Sequence, residues 1–598
     1  MQILKKLIFL LSPRERKNAL LLLGMIIVMA LLDVIGVASI LPFMAVLMNP
    51  DTIETNTILN KMFQIAGTFG IENNQQFLFA LGTLVFVLLI VSLVFKALVT
   101  YLQIHFALMR DYSIGKRLVE GYLCQPYSWF LNRHSADLGR NILSEVTKVV
   151  GTGIAPMITL IAHGAVAIAL MILLILTDPK LALVSFFTLG LFYGLVYRFT
   201  RSILKRLGQQ TLQANRSRFS EVSEAFGAVK EVKVSRLEQF YIQRFTEPAR
   251  NYSRYQAMAG SISQLPRYII EIVTFGGMLF LVLFLLSKNN DFASVIPVIT
   301  LYAFAGYRLL PSLQQIYISF TKLRFIVPAL DAIIEDLINL PPVIHSKKNE
   351  TSLQFNKGIT LSHIYYHYPN TSRTALYDIN LSIPTGTTVG LVGATGSGKT
   401  TTVDIILGLL EAQQGELKVD GKIINKQNCR AWQSFIGYVP QQIFLADDTV
   451  AANIAFGNNP KDIDQVAVEY AAKAANLHDF IISELDQQYQ TKVGERGIRL
   501  SGGQRQRIGI ARALYRRPKV LILDEATSAL DNLTEKEVMN EVHKISKNIT
   551  VIMIAHRLST VKNCDRIYLL ENGKLKEQGT FDELINLNDQ FRDNAKDI

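Results

Sequence analysis

The sequence Thr388-Val-Gly-Leu-Val-Gly-Ala-Thr-Gly-Ser-Gly-Lys-Thr400 decides the fold of the second half of the chain. Its first five residues predict a short buried strand, and a helix predicted over 400–410 follows. The glycines between them let backbone N–H groups curl around a phosphate, and the helix N-terminus adds positive potential. We therefore interpret Gly393 to Thr400 as a phosphate-binding loop.

The side chains of this loop suit a nucleoside triphosphate. Lys399 is long enough to reach the β- and γ-phosphates, and the Thr400 hydroxyl is a suitable ligand for Mg²⁺. The candidate nucleotide-binding residues of the loop are Gly393, Ala394, Thr395, Gly396, Ser397, Gly398, Lys399, Thr400 and Thr401.

A second motif places two carboxylates after a buried strand. The apolar run 520–523 predicts that strand, and Asp524 and Glu525 follow at the edge where loops of a parallel sheet meet ligands. Asp524 can hold Mg²⁺, and Glu525 is the candidate that polarises an attacking water. By itself the motif also fits an ordinary strand that ends in a solvated acidic turn.

A third motif is Leu500-Ser-Gly-Gly-Gln504, which precedes a predicted helix. Ser501, Gly502, Gly503 and Gln504 can form a second nest of N–H groups for an anion, or simply the N-cap of that helix. One chain that binds one γ-phosphate needs only one nest. The second nest therefore predicts a dimer in which the nest of one subunit closes over the phosphate loop of the other.

The order of these motifs over 353–588 resembles the nucleotide-binding domain of the ABC transporter family. Further short motifs in the expected order support the same resemblance. They are a glutamine loop at Gln441, a D-loop over Ser528-Ala-Leu-Asp531, a switch histidine at His556 and an aromatic residue, Tyr368. The resemblance implies that Tyr368 stacks on adenine and that His556 contacts the γ-phosphate. It also implies that Gln441 senses the metal site and signals to the membrane domain.

The resemblance completes a set of expected site residues and cofactors. It implies ATP and Mg²⁺ as cofactors and ATP hydrolysis at both sites of a homodimer. The expected catalytic residues are Glu525, His556 and Gln441, and the expected metal ligands are Thr400, Gln441 and Asp524.

The first half of the chain is predicted to lie in a membrane. Hydrophobic residues make up 49% of the chain and charged residues 18%, against about 25% charged residues in soluble domains. A spanning helix needs about 20 mostly apolar residues. Six segments meet this need: 19–49, 76–108, 153–177, 180–199, 266–287 and 293–320. The predicted fold is therefore a polytopic α-helical membrane domain with six transmembrane helices, fused to an α/β P-loop ATPase domain.

Positive charges alternate along the chain with the spanning segments. The formal net charge is +12, and lysine and arginine concentrate before the first segment, after the second and after the fourth. By the positive-inside rule these regions are cytoplasmic, so nucleic acid is not needed as a partner to explain the charge. We expect a multi-pass protein of the bacterial inner (cell) membrane, with the ATPase domain and both termini cytoplasmic. The three widely spaced cysteines are expected to be reduced thiols.

The pattern of breaks predicts the domain organisation. Pro341 and Pro342 end the helical pattern, and a polar run follows. We expect a transmembrane domain with cytoplasmic helix extensions over 1–340, a linker over 341–352 and the nucleotide-binding domain over 353–598. The 50–75 connector carries apolar residues at helical spacing and predicts a short external helix: Ile58, Leu59, Met62, Phe63 and Ala66.

Two further short motifs resemble those of exporter-type members of the family: Thr491-Lys-Val-Gly-Glu-Arg-Gly497 and Pro126-Tyr-Ser-Trp-Phe130. The resemblance implies ATP-driven export or flipping by alternating access. General lipid, multidrug or peptide export is the alternative within the family, and an ATP-gated channel is a remote one.

Three cations within or beside apolar segments are the candidate substrate residues: Lys96, Arg267 and Arg308. A charge inside the bilayer is costly, so it usually faces a cavity or a partner charge. Pairing with Asp33 or Glu271 is the alternative, yet three cations face two acids. The surplus charge predicts an amphipathic substrate with an anionic head, and the segments resemble bacterial lipid-linked oligosaccharide flippases. The expected partners are a second copy of the chain, membrane lipid and this substrate.

Overall fold

The computed structural model describes residues 2–48, 50–68, 70–71, 73–177, 179–288, 292–340, 353–369, 371, 374–525, 537–538, 540, 549–555 and 557–595. Within the helices, only the backbone is described at many positions between 177 and 189 and between 269 and 308. Contacts group the chain into two units. The first holds Met1–Gln125 and Asn132–Val343, and the second holds Pro126–Leu131 and Ile344–Ile598. The short stretch Pro126–Leu131 therefore groups with the ATPase half, although its sequence position had placed it in the membrane domain.

The first unit is built from helices. They are α1 (Gln2–Leu10), α2 (Pro13–Ala38), α3 (Ile40–Met48), α4 (Thr52–Thr55), α5 (Thr57–Gly67), α6 (Asn74–Leu123), α7 (Tyr127–Phe130, grouped with the second unit), α8 (Ser135–Arg140), α9 (Val146–Val149), α10 (Ala155–Thr177), α11 (Pro179–Gly227), α12 (Val229–Val234), α13 (Glu238–Lys288), α14 (Phe292–Phe325) and α15 (Val327–Asn339). Single π-helical turns, Asn141–Glu145 and Val150–Ile154, flank α9.

Among the described residues, three stretches are long and apolar enough to cross a membrane: Pro13–Met48, Asn74–Leu123 and Ser135–Leu176. They cover the first three predicted segments, except for the last residue of 19–49 and of 153–177. The other three predicted segments fall on α11, α13 and α14, many of whose side chains lie outside the description. At about 1.5 Å per residue the 50 residues of α6 extend about 75 Å, far beyond a bilayer core of about 30 Å.

The first predicted segment, 19–49, is not one continuous helix. It starts earlier, at Pro13, where Ser12 and Glu15 form a capping box. It is interrupted at Ser39, whose hydroxyl donates to the Gly36 carbonyl at 2.9 Å, and α3 follows. Pro42 has no N–H to donate to the Ala38 carbonyl, and its ring crowds the preceding turn, so the helix is interrupted just before it.

The connector after α3 folds into a small apolar cluster. The predicted external helix is present as α5, whose Leu59 is buried with Val46, Ile53, Phe77 and Leu81. Met62, Phe63 and Ala66 pack against this cluster, whereas Ile58 is 71% exposed on the opposite face.

One carboxylate, Asp336 on α15, fastens the cytoplasmic ends of the spanning helices together. It accepts hydrogen bonds from the Tyr122 hydroxyl at 2.6 Å and from the Asn141 amide at 2.8 Å. Arg133 lies 3.5 Å from the same carboxylate. Residues from the end of α6, from the turn before α8 and from the first π-turn therefore meet on the helix that leads out of the first unit.

The second unit contains two sheets. Their strands are β1 (Gly358–His367), β2 (Thr374–Pro384), β3 (Thr388–Val392), β4 (Gln414–Val419), β5 (Lys422–Ile423), β6 (Ile436–Val439), β7 (Val520–Asp524), β8 (Thr550–Ile554), β9 (Arg566–Glu571) and β10 (Lys574–Gly579). A four-stranded antiparallel sheet has the order β2-β1-β4-β5, and a six-stranded sheet has the order β10-β9-β3-β8-β7-β6. In the second sheet only β10 pairs antiparallel.

Helices accompany the strands of this unit. They are α16 (Lys399–Ile406), α17 (Cys429–Gln433), α18 (Val450–Ile454), α19 (Gln465–Ala474), α20 (His478–Glu484), α21 (Gly502–Tyr515), α22 (Leu558–Val561), α23 (Phe581–Leu587) and α24 (Asp589–Ala595). Strand β7 is buried on both of its faces, which explains the need for these helices. Leu521 and Leu523 belong to one buried apolar cluster, and Val520 and Ile522 belong to a second. A parallel sheet with two apolar faces needs cover on both.

Candidate functional site

The six-stranded sheet brings the predicted catalytic loops to one edge. The phosphate-binding loop follows β3, Asp524 ends β7 and Gln441 lies two residues after β6. These strands run parallel in the order β3-β8-β7-β6, so their carboxyl ends share an edge. In open α/β sheets that edge is where ligands bind.

The phosphate-binding loop is shaped by glycine. Gly393 has φ +153°, and a Cβ there would collide with the Leu570 carbonyl oxygen. Gly398 has φ +103° in the left-handed region and is the N-cap of α16. A side chain at either position would be strained, so glycine leaves the backbone N–H groups free to surround an anion. The cradle fits a polyphosphate.

Lys399 is 5% exposed and folds back over its own loop. Its ammonium donates to the carbonyls of Gly393 at 2.7 Å and Ala394 at 3.0 Å. Burial lowers the pKa of Lys399, and the negative charges of Glu525 and Asp524 oppose that effect. The positive charge is thus held beside the cradle by neighbouring carboxylates.

The carboxylates stand where the strand order predicts. Asp524 is buried, and the Glu525 carboxylate accepts a hydrogen bond from the Gln441 side-chain amide at 2.8 Å. This contact joins the loops after β6 and β7. Glu525 has φ +49°, a left-handed conformation that is uncommon for a residue other than glycine, and such strain clusters at functional sites.

Sequence reasoning missed Asp404, a buried acid on the helix that follows the loop. It is 8% exposed, and burial together with the nearby charge of Asp524 raises its pKa from 3.8 to about 6. The signal was present as an aspartate inside the apolar run Val403-Asp-Ile-Ile406. Its proximity to Asp524 was not visible, because the two are far apart in sequence.

Tyr368, expected to stack on adenine, lies beside the loop. Its hydroxyl is 3.0 Å from the Thr401 hydroxyl, and its ring meets Tyr366 edge-on at 5.2 Å. These contacts fix the ring near the start of α16.

The Leu500-to-Gln504 motif forms the beginning of α21. The Ser501 hydroxyl accepts from the Gln504 backbone N–H at 3.2 Å, and the Gln504 side chain accepts from the Ser501 N–H at 2.7 Å. This is a capping box, so the N-cap interpretation holds in this chain. The cap leaves other N–H groups of the first turn without helical partners, and those can still receive an anion.

Two of the expected positions lie outside the described residues. They are His556 and the D-loop, Ser528 to Asp531. Among the residues that the structure describes, no group of three His, Cys, Asp or Glu side chains could hold a metal ion.

The three candidate substrate cations have different surroundings. Lys96 lies 3.5 Å from Asp33, and Arg267 lies 2.8 Å from Glu271. Both pairings are the alternative that the sequence left open. At Arg308 only the helical backbone is described, and its side chain lies outside the description.

The Asp33–Lys96 pair belongs to a polar cluster inside the spanning helices. Asp33 is fully buried and accepts from the Ser92 hydroxyl at 2.9 Å. His163 on α10 lies 3.3 Å from Ser312 on α14 and within electrostatic range of both charges. Sequence reasoning missed Ser92, His163 and Ser312, although a histidine in an apolar segment was a visible signal.

Comparison with known proteins identifies both halves of the chain. The family model described as ABC transporter transmembrane region matches residues 52–308, and the one described as ABC transporter matches residues 376–528. The chain is 32% identical over 482 residues to the ATP-dependent lipid A-core flippase of Saccharophagus degradans, covering 79% of each protein. It is 32% identical over 504 residues to the alpha-hemolysin translocation ATP-binding protein HlyB of Escherichia coli, covering 83% of this chain and 70% of that protein.

A solved structure shares the fold. It is a bacterial Atm1-family ABC exporter with ATP bound, with a TM-score of 0.79 and 22% sequence identity. The similarity covers 97% of this chain and 98% of that one.

The raised pKa of Asp404 predicts that removing its charge stabilises the folded state by an amount that depends on pH. A carboxyl whose pKa is about 6 when folded and 3.8 otherwise makes the folded state lose stability as pH rises from about 4 to about 6. Asp404→Asn should therefore raise the apparent melting temperature in detergent, by a few degrees that grow over this window and level off above it. Thermal unfolding without nucleotide measures this. Asp486→Asn, at an exposed position, is the control, and an equally flat profile for both variants would contradict the prediction.

Proposed function

The chain belongs to the ABC transporter family as an exporter that couples ATP hydrolysis to transport, and on that premise we propose that it flips an amphipathic lipid with an anionic head. The observation that carries this proposal is the pairing of two of the three intramembrane cations. Lys96 faces Asp33 and Arg267 faces Glu271. The six predicted segments contain no third acid for the remaining candidate cation, Arg308.

A surplus cation in an apolar segment suits a phosphate or pyrophosphate group. The guanidinium of arginine matches the geometry of such anions with two parallel hydrogen bonds. In a dimer two such cations would serve one cavity. The lipid A-core flippase names among the relatives support a lipid cargo, and we extend this to lipid-linked saccharides and related anionic lipids.

The ATP site supports the chemistry that drives transport. Lys399 and the N–H groups of the cradle would bind the phosphates, and Thr400, Asp524 and Gln441 would hold Mg²⁺. When bound, Mg²⁺ neutralises charge on the phosphates. Glu525 accepts a proton from the attacking water, and its bond to the Gln441 amide orients the carboxylate. His556 is proposed to contact the γ-phosphate.

We place the protein as a homodimer in the bacterial inner membrane. The capped turn at Ser501 would close over the phosphate loop of the second copy and complete each site. Both termini would be cytoplasmic, because lysine and arginine concentrate at the predicted cytoplasmic ends of the spanning segments.

A protein or peptide exporter is the second candidate. The observation that favours it is the similarity to HlyB, whose name describes translocation of alpha-hemolysin. The two candidates differ in cargo and share the ATP chemistry, so a transport assay separates them.

Replacing the proposed base should stop hydrolysis but spare binding. Glu525→Gln keeps the size of the side chain and an oxygen that can accept from Gln441, yet it cannot take the proton from water. We expect ATP binding to persist while turnover falls by about 10²–10⁴-fold. Steady-state ATPase in nanodiscs and equilibrium nucleotide binding measure the two effects. Lys399→Ala should instead lose binding, and near-normal turnover of Glu525→Gln would remove it from the role of base.

A mixed dimer tests whether the sites are shared. One subunit carries Lys399→Ala and the other Ser501→Arg, joined as a tandem so that only the mixed species forms. If each site combines the loop of one subunit with the turn of the other, both lesions fall in one site and the second site is intact. We expect one nucleotide to be trapped per dimer. Loss of both sites would show that each chain forms its site alone.

Transport in proteoliposomes tests the cargo. Arg308→Ala should leave basal ATPase within about twofold and reduce flipping of an anionic lipid-linked saccharide by at least about tenfold, since it removes the candidate cation for which the six predicted segments contain no third acid. The double variant Asp33→Asn with Lys96→Met removes both members of one ion pair. Its rate of lipid flipping should be closer to that of the unchanged protein than the rate of Arg308→Ala. Lys61→Ala, a cation in the external connector, is the matched control. Normal flipping by Arg308→Ala, or transport of peptides in preference to lipid, would contradict the proposal.

A further inference from the structure

A narrow apolar cleft lies on the first unit, apart from the ATP site and from the polar cluster of Asp33. It opens between α1, α2, α6 and the start of α10, and its volume is about 450 Å³ with its open mouth. Every side chain that lines it is apolar. Those used here are Leu7, Leu22, Ile26, Phe106, Ile154 and Ile158.

The depth of the cleft matches one leaflet of a bilayer. Along α2 its lining runs from Ala19 to Ile26, which at about 1.5 Å per residue is about 10 Å. Half of the hydrocarbon core is about 15 Å thick. The cleft is therefore long enough to take part of one acyl chain and too short to cross the membrane.

Helix α1 has the character of a helix that lies on a membrane surface. It buries Leu7 and Leu10 against the protein and leaves Leu4, Ile8 and Phe9 about two-fifths exposed. Exposed apolar residues beside lysines are typical of a helix at the lipid–water boundary. The cleft thus begins where headgroups meet hydrocarbon.

Polar contacts hold α1 in this position. The Arg117 guanidinium donates to the Leu10 carbonyl at 2.7 Å, and Arg16 donates to the Leu11 carbonyl at 3.2 Å. Lys6 pairs with Asp331 at 2.5 Å. Leu11 itself lines the cleft, so the Arg16 guanidinium is bonded to the backbone of one of the lining residues.

The chain on either side of Leu11 carries a surplus of exposed positive charge. Lys5, Arg14, Arg16 and Lys17 are exposed, and the first 32 residues contain one acid, Glu15. Glu15 is buried and pairs with Arg110 at 2.8 Å, so it does not neutralise the exposed cations. Basic clusters of this kind at a membrane surface attract anionic headgroups.

We propose that this cleft is a binding site for a resident anionic phospholipid. One acyl chain lies in the apolar cleft, and its phosphate is held by Arg16 with the neighbouring exposed cations Arg14 and Lys17. The site lies in the leaflet that contacts α1 and is separate from the path of the transported molecule. The inference does not depend on what the protein transports.

A tryptophan reporter tests the site. The chain has two tryptophans, and Trp432 is fully buried in the ATPase core, so Phe106→Trp with Trp129→Phe adds one reporter at the cleft. The ring of residue 106 faces Arg110 at 4.6 Å, a contact that tryptophan preserves. Quenching by phosphatidylglycerol or phosphatidylcholine with brominated chains is measured in nanodiscs. Val94→Trp, at a residue 65% exposed on the same helix, reports bulk lipid.

We expect brominated phosphatidylglycerol to quench the cleft reporter at about fivefold lower mole fraction than brominated phosphatidylcholine, because several cations favour the anionic head. At Val94→Trp the two lipids should be equivalent. The triple variant Arg14→Gln, Arg16→Gln and Lys17→Gln should abolish the preference. The matched control removes three exposed cations elsewhere, with Lys230→Gln, Lys233→Gln and Arg236→Gln, and should keep it.

Other outcomes overturn the proposal. Equal quenching by both lipids at the cleft would show no anionic site. No quenching by either lipid would show that a second copy of the chain, rather than lipid, covers the cleft. Release of the quenching lipid when Glu525→Gln is trapped with ATP would assign the cleft to the cargo. If the reporter variant fails to fold, native mass spectrometry of the otherwise unchanged chain decides, since bound phosphatidylglycerol should be lost in the first triple variant and kept in the second.

Discussion

The parallel register of four strands is the constraint on which the ATP site depends. Pairing of β3 with β8, of β8 with β7 and of β7 with β6 sets the carboxyl ends of all four at one edge. Residues more than a hundred positions apart, Lys399 and Asp524, thereby face the same cradle. The 2.8 Å bond from Gln441 to Glu525 depends on this register, because a slip of one residue would turn the side chains to the other face.

A different constraint governs the first unit. Inside a bilayer, no water is available to form hydrogen bonds with backbone groups or to solvate charged side chains. Asp33 is fully buried, and it is tolerated because Ser92 and Lys96 on the neighbouring helix stabilise it. At the helix ends Asp336 collects Tyr122, Asn141 and Arg133. In the first unit, therefore, the Asp336 carboxylate joins residues from several elements, and in the second unit the Glu525 carboxylate joins the loops after β6 and β7.

The sequence predicts best what is local. The strand Thr388–Val392 occurs with the predicted bounds. The phosphate-binding loop is made of contiguous residues, and its glycines indicate the backbone conformation that it needs. The helix predicted over 400–410 ends at Ile406, because Gly408 takes φ +67° and turns the chain. The sequence signal for the break at Ser39 is Pro42, which the apolar residues that continue on both sides of it obscured.

What the sequence could not predict is long-range pairing. Asp404 and Asp524 are brought together only by the fold, as are Ser92 with Asp33 and His163 with Ser312. The same holds for Lys96, whose role as cavity charge or as partner of Asp33 could be decided only by a structure. Charge counting over the segments nonetheless left pairing with Asp33 and Glu271 open as the alternative, because the bilayer penalises every unpaired charge regardless of topology, and both pairs are present.

The polar groups of the ATP site already have internal partners, and this bears on how ATP can do work. Lys399 donates to two loop carbonyls, and Gln441 donates to Glu525. A bound nucleotide must exchange these contacts for its own, so a ligand shifts conformation only by the difference between the old and the new contacts. Gln441 lies on the loop after β6, at one end of the sheet, so exchange of its bond to Glu525 would release one of the contacts between the ends of β6 and β7. We infer that this contact is a place where nucleotide binding would be converted into a displacement of the loop after β6.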